Sequence, residues 1–322
     1  MKRIFITGIT GLLGTNLANA LLDLDYEVTA IIRNPDKYIG KRTGNLNLVQ
    51  MDLWGDYDQY LKEADIVVHI AAETGTHLIK YADYERTNYD ATIRLFEKAK
   101  EQKVAQFIFI STANTIGYGS LKALGNETKK IQKPFTKLFY AQSKLQAEKY
   151  LLTQNKEIQI KILNPTFMIG AYDSKPSSGK IILMGLKKRI VFYPPGGKNF
   201  VPVKDVVNAI INAFHKGTSG EKYLIAGTNL SYKTFFKELR NITTQKQILI
   251  PIPKFLLLTV GSFGSFMRKL NIETSLSSSN MKTLCVKNYY TNQKSIQELN
   301  VQYSSLNNAI KEAADYLERT HT

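Results

Sequence analysis

Over the first 165 residues, short runs of apolar side chains alternate with stretches that have apolar positions at helical spacing. Arg3–Thr7 reads as a short buried strand, and Leu12–Leu22 carries the period of a helix. Further strands are predicted at Glu27–Ile32, Asn47–Met51, Ile66–Ile70, Gln106–Ile110 and Ile158–Leu163, with helices at Ala91–Lys103 and Tyr140–Thr153 among those between them. Strand–helix–strand alternation of this kind predicts an α/β chain with a doubly wound parallel sheet and helices on both faces. After Pro165 the rhythm breaks. Tyr172–Gly179 and Tyr193–Lys198 read as turns or loops, Val203–Lys216 as a helix, and Lys222–Ala226 as a strand returning to the sheet. The rest, to about residue 315, reads as helices joined by loops. The expected division is a cofactor domain from residues 1–165 plus about 199–226. A smaller, mainly helical substrate domain would take about 166–198 plus 227–322.

The turn after the first strand holds the first chemical signal. In Thr7-Gly8-Ile9-Thr10-Gly11-Leu12-Leu13-Gly14, Gly8 permits a tight turn and Gly11 a close approach of backbone to a pyrophosphate. Gly14 allows a helix to pack tightly on the sheet. Phosphates would then lie at the helix N-terminus, where free N–H groups favour negative charge. About 20 residues beyond the glycines, a site for NAD offers an acidic residue to the ribose 2′-hydroxyl. Here the second strand ends on Arg33, with Lys37 nearby, and cations suit the 2′-phosphate of NADP. NADP is therefore favoured, with NAD as the alternative.

Tyr140 and Lys144 stand four residues apart, on one face of a predicted helix. An ammonium beside a phenol would lower its pKa and let it exchange protons with a carbonyl or alcohol oxygen. The spacing alone decides nothing, because Tyr118/Lys122 and Tyr290/Lys294 share it. Context favours Tyr140: Tyr118 lies between two glycines, and Tyr290 is far along the chain from the cofactor half. Ser111-Thr112 ends the fifth strand, where a hydroxyl can orient a substrate or simply satisfy local backbone.

Composition adds bounds. With 43% hydrophobic and 22% charged residues the chain is ordinary for a globular enzyme. One cysteine, Cys285, leaves no internal disulfide, and the four histidines lack ligand spacing, so no metal site is expected. Lys2 and Arg3 ahead of an apolar run, with Ala18–Ala20 beyond, imitate a signal peptide, but a strand–turn–helix unit accounts for the whole run. No membrane span is legible, and the expectation is a cytoplasmic enzyme. The net charge of +16 is uneven: residues 1–150 hold 20 Lys/Arg against 17 Asp/Glu, and residues 151–322 hold 23 against 10. No nucleic-acid-binding motif accompanies this charge. An anionic substrate or a peripheral membrane contact remains open, beside the plainer reading of a solvated basic surface.

Taken together, these motifs resemble the extended short-chain dehydrogenase/reductase family, and within it the dihydroflavonol-reductase-like branch. The resemblance runs through the glycine motif, Val68-His69-Ile70-Ala71-Ala72, Asn88, Ser111–Gly117, Tyr140–Lys144, Leu163-Asn164-Pro165-Thr166, Gly170 and Phe200–Val206. It implies a Rossmann-type fold, Tyr140 as acid/base, Thr112 rather than Ser111 as the catalytic hydroxyl, and Lys144 also holding the nicotinamide ribose. By the same resemblance Asp52 and Leu53 contact adenine, and Ala71, Ala72, Asn88, Asn164 and Pro165 line the cofactor; a homodimer is common in the family. Nucleotide-sugar dehydratases of the family place Asp-Glu after the catalytic hydroxyl. This chain has Ala113-Asn114 there, which argues against dehydration. The expected activity is reduction of a small-molecule carbonyl with NADPH. A sugar epimerase using bound NAD(P) is the alternative, and a non-catalytic NADP-binding sensor a further one.

Overall fold

A computed structural model describes residues 2–154, 157–174 and 178–321. Residues 175–177 of the predicted turn Tyr172–Gly179 lie outside them. Six strands alternate with helices in the first half: β1 (Arg3–Thr7), β2 (Glu27–Ile32), β3 (Leu46–Gln50), β4 (Ile66–His69), β5 (Gln106–Ile110) and β6 (Gln159–Pro165). Together with Glu221–Ile225 they form a seven-stranded sheet in the order Glu221–Ile225, β6, β5, β4, β1, β2, β3. Every pairing in it is parallel.

The period-two alternation of these strands separates two cores. Ile4, Ile6, Val28, Ala30, Val68 and Ile108 face the Leu12–Asp23 and Val203–Ala213 helices. Phe5, Ile31, Val67, Phe107, Phe109 and Ile160 face the other way, against Leu95 and Phe96 of the Ala91–Glu101 helix and Ala147 and Leu151 of the Phe139–Thr153 helix. Because both faces are covered, the strands read as continuous apolar runs.

The C-terminal region is helical, with two small sheets added. Phe167–Ile169, Gly197–Pro202, Thr228–Ser231 and Lys287–Asn288 pair in one, and Ile190–Tyr193 with Ile248–Pro251 in the other. The segment expected as a loop, Tyr193–Lys198, thus joins two strands, and only its Pro-Pro-Gly centre turns. A separate core of Ile182, Phe200, Phe235, Phe236, Leu239, Ile310 and Leu317 holds this region together.

Chain order reverses between β1 and β4, which lie side by side although β2 and β3 come between them in sequence. At such a switch point the loops leaving two neighbouring strands diverge and open a crevice at the carboxyl edge. Gly8 leaves β1 at φ +82°, and a Cβ there would sit 2.6 Å from the backbone nitrogen of Ala71 beyond β4. The two loops touch at their base, so the topology places a ligand crevice above them, at the carboxyl edge.

Candidate active site

The glycine turn is built for close approach. A Cβ on Gly14 would lie 2.2 Å from the Gly8 carbonyl oxygen, so glycine here is a packing requirement. Gly11 is different: a Cβ there meets only the Gly8 oxygen, at 3.7 Å. Gly11 is exposed and caps the Leu12–Asp23 helix with no side-chain bond to its first N–H groups. That leaves open space above uncommitted donors, which fits a pyrophosphate. Thr10 is half-buried beside it, while Leu12 and Leu13 turn into the core.

A directed chain of hydrogen bonds fixes the strip after β4. The Ala71 N–H donates to Thr7 Oγ1 (3.2 Å), and that hydroxyl pairs with His69 Nδ1 at 2.7 Å. His69 Nε2 lies 2.9 Å from Thr92 Oγ1, which itself donates to the Asn88 carbonyl at 3.0 Å. Because the Thr92 proton is committed to the Asn88 carbonyl, His69 donates from Nε2, and the neutral ring accepts the Thr7 proton at Nδ1. Burial, with the Lys144 charge second, holds its pKa well below the usual value. Asn88 is fully buried: its Oδ1 accepts from Glu73 N (2.7 Å) and its amide donates to Glu73 O and Ser143 Oγ (both 3.0 Å). It ties the strip holding half-buried Ala71 and Ala72 to the helix that carries Tyr140.

Tyr140 lies in the first turn of the Phe139–Thr153 helix, and its phenol shares a hydrogen bond with Thr112 just beyond β5. Thr112 Oγ1 accepts from Asn114 N at 3.2 Å, which leaves its proton to point at the phenol oxygen. Burial pushes the phenol up to about 12; Thr112 acts against this, and the Glu148 charge adds to it. Lys144 is not among the charges acting on the phenol, contrary to the simple expectation from the spacing. The reason is Lys144 itself. It is 1% exposed, its Nζ has no hydrogen-bond partner, and its nearest support is the Phe109 ring, 4.0 Å from the centroid. Burial brings its pKa down to about 7, with Glu148 opposing. An unpartnered buried ammonium beside a crevice fits hydroxyl acceptors such as those of a ribose.

Glu148 was not legible as a site residue. It sits a further turn along the same face and is 1% exposed. Its Oε1 accepts from Ser111 Oγ (2.5 Å), Thr115 Oγ1 (2.7 Å) and Asn164 Nδ2 (2.7 Å), and Lys222 lies 3.5 Å from its Oε2. Ser111 is therefore committed inward and Thr112 is the hydroxyl left for the crevice. Asn164 also donates to the Thr112 carbonyl at 3.1 Å, so it shapes this loop from below, while Pro165 is buried at the end of β6. Tyr290, remote in sequence, is packed under the same loop, its hydroxyl donating to the Ala113 carbonyl at 3.1 Å. Tyr118 lies in a loop, as expected.

Beyond the end of β2, the Arg33 and Lys37 side chains are exposed and make no ion pair or hydrogen bond among the described residues. Arg42 joins them: its guanidinium donates to the Pro35 carbonyl at 2.8 Å and lies over the Tyr38 ring. Asp52 is exposed just beyond β3 and accepts from Trp54 N at 2.8 Å, with Leu53 half-buried beside it. No cluster able to hold a metal ion occurs among the described residues.

Residues 4–226 match the model of the NAD dependent epimerase/dehydratase family. A dihydroflavonol 4-reductase-like protein of Synechocystis sp. is 28% identical over 98% of this chain and 94% of its own length. The UDP-glucose 4-epimerase of Vibrio cholerae is 27% identical over 78% of this chain and 79% of its own. Among solved structures, that of gox2253 superposes with a TM-score of 0.82 at 22% identity, covering 99% of this chain and 98% of that one, which shows a shared fold. The chain belongs to the NAD-dependent epimerase/dehydratase family, and is an NAD(P)-dependent enzyme of the extended short-chain dehydrogenase/reductase type.

Proposed function

We propose that this enzyme reduces a carbonyl group of a small molecule with NADPH, with Tyr140 as the proton donor. The observation that carries this reading is the Tyr140–Thr112 pair. The phenol shares a hydrogen bond with Thr112 at the carboxyl edge of the sheet and, with its pKa pushed up to about 12, keeps its proton at neutral pH. A reductase needs an acid at this position, because the substrate oxygen gains a proton as its carbon gains hydride. The bound dinucleotide supplies that hydride from its nicotinamide. When substrate binds, the Thr112 proton turns from the phenol to the carbonyl oxygen, and Tyr140 gives that oxygen its proton. Lys144, once ribose hydroxyls take up its donors, regains its charge and steadies the phenolate left behind. Gly8, Gly11 and Gly14 make room for the pyrophosphate at the helix N-terminus, with Thr10 beside it. Asp52 and Leu53 flank the adenine, and Ala71, Ala72 and Asn88 border the nicotinamide half. Arg33, aided by Lys37, takes the 2′-phosphate, which favours NADP over NAD.

The test is a panel of carbonyl substrates with NADPH and NADH on the wild type and Tyr140→Phe. The expected result is stoichiometric consumption of NADPH by the wild type and a loss of at least about 10²-fold in kcat for the variant. Inversion of a sugar carbon with the cofactor unchanged would overturn the reading in favour of an epimerase.

A further inference from the structure

The Lys254–Lys269 helix is built inside out. Phe255, Leu256, Phe263, Phe266 and Leu270 just beyond its end are all exposed, Phe255 to 71% and Phe263 to 63%. At 3.6 residues per turn these five positions fall within one arc of about 100°. The inward side carries Leu257, Gly261 and Gly264. Its glycines are required by contact: a Cβ on Gly264 would lie 1.9 Å from the Leu276 carbonyl oxygen, and one on Gly261 would be 3.0 Å from Met281. The two polar residues on the outer arc hide their polarity. Thr259 Oγ1 donates to the Phe255 carbonyl and Ser262 Oγ to the Leu258 carbonyl, both at 3.0 Å, so neither hydroxyl depends on water. The outer face is thus larger, more apolar and less in need of solvent than the inner one, the reverse of a helix facing water.

Charge selects the occupant. No Asp or Glu occurs between Asp173 and Asp205 or between Glu238 and Glu273. The second interval, which contains the helix, carries the exposed cations Lys246, Lys254 and Lys269, while Arg240 and Arg268 are half-buried and turned onto backbone carbonyls. Ile248–Pro251, the strand leading directly into the helix, is also apolar, with Ile248 exposed across from exposed Ile190, and Arg189 next to it. A second copy of the chain docked face to face by a two-fold axis would bring the same cations together with no carboxylate from this segment to pair them. An anionic lipid surface answers both features, taking phenyl groups into its acyl boundary and cations among its headgroups.

We infer that the outer face of the Lys254–Lys269 helix is a docking site for an anionic lipid bilayer. No helix among the described residues is long and apolar enough to cross a membrane, so the contact is peripheral. The helix is also joined to the cofactor strip. Arg268 and Asn280 both donate to the Thr76 carbonyl, and Thr76 Oγ1 donates to Ser275 Oγ at 2.9 Å. Docking therefore engages a helix that is bonded directly to the loop following β4.

The experiment is co-sedimentation of the full chain with vesicles of phosphatidylcholine alone and of phosphatidylcholine mixed with phosphatidylglycerol. The wild type should partition at least about tenfold more onto the anionic vesicles, and added salt should weaken the binding. Phe263→Ser with Phe266→Ser should reduce it by about tenfold for each phenyl removed, with melting temperature and NADPH binding unchanged. Phe255→Ser, at the other end of the helix, supplies a second variant should the double one fold poorly. Failure of the wild type to sediment with anionic vesicles, or binding by both variants at the wild-type level, overturns the inference. So does light scattering that shows a wild-type dimer split by the phenyl substitutions with no vesicle binding. None of these readouts depends on the reaction catalysed.

Discussion

Lys144 and Glu148 are buried one helical turn apart, yet they do not form an ion pair. The Glu148 carboxylate is taken up by Ser111, Thr115 and Asn164, and the Lys144 ammonium is left with no hydrogen bond. Each group alone would be an expensive thing to bury, and only one of them is satisfied. The protein holds a destabilising charge at the place where a ligand is to arrive, which is a common compromise between stability and activity.

Removing that charge should therefore stabilise the fold. In the folded chain Lys144 titrates at about 7, below its ordinary value of 10.5. Below about pH 7 it is charged in both the folded and unfolded states, and the folded state bears the whole burial penalty. Between the two values the unfolded chain binds the extra proton, so stability rises with pH across that window. Lys144→Met should raise the melting temperature most at about pH 6, by several degrees, and progressively less towards about pH 10. Thermal melts across this range check it; a lower melting temperature for Lys144→Met at about pH 6 would show the ammonium to be satisfied in a way the structure does not record.

The doubly wound sheet was legible because its strands are buried on both faces and stand as short apolar runs, which even the limits of β1, β2 and β5 follow. The strands at Gly197–Pro202 and Ile248–Pro251 were not, since glycines, prolines and a lysine obscure a pattern that tertiary pairing overrides. Within the site, Tyr140 and Thr112 came from motif order along the chain. Glu148 continues the Tyr140–Lys144 face by another four residues, but a lone carboxylate at that spacing does not announce a role. Tyr290 had none, because its contact with the Ala113 carbonyl joins segments 177 residues apart.

If Lys144 holds the ribose, dinucleotide affinity should follow its charge. The ammonium is present below its pKa of about 7 and lost above it, so affinity should fall as pH rises through neutrality. Binding shifts the titration upward, because a cation that gains acceptors keeps its proton longer. Calorimetry from about pH 6 to about pH 9 should show NADPH binding weaken by about tenfold in the wild type and stay flat in Lys144→Arg, whose charge does not titrate. A wild-type affinity independent of pH would remove Lys144 from the cofactor site.

Arg33 should decide between the two dinucleotides. It is exposed, unpaired and stands just beyond the end of β2. A charge-assisted contact to phosphate contributes about 1.5–3 kcal/mol, so Arg33→Ala should lower kcat/KM for NADPH by about 10- to 100-fold. Turnover with NADH, which lacks the phosphate, should change by less than about threefold. Equal losses with both cofactors would place Arg33 outside 2′-phosphate recognition and point to Arg42 instead.

Gly11 and Gly14 provide the sharpest separation of binding from folding, because the same substitution meets opposite surroundings at the two positions. A methyl on Gly14 would lie 2.2 Å from the Gly8 carbonyl oxygen and 2.7 Å from the Ile9 Cα, both backbone atoms that cannot move without shifting the turn. Gly14→Ala should cost about 2–4 kcal/mol of stability, visible as a drop in the urea midpoint, and any loss of activity should track the unfolded fraction. A methyl on Gly11 meets one atom at 3.7 Å, an ordinary contact. It enters only the space above the helix N-terminus, so Gly11→Ala should melt within about 0.5 kcal/mol of the wild type and still bind NADPH at least about tenfold more weakly. Wild-type affinity in Gly11→Ala would mean that the pyrophosphate does not lie over this turn, and the site would have to be sought elsewhere along the carboxyl edge.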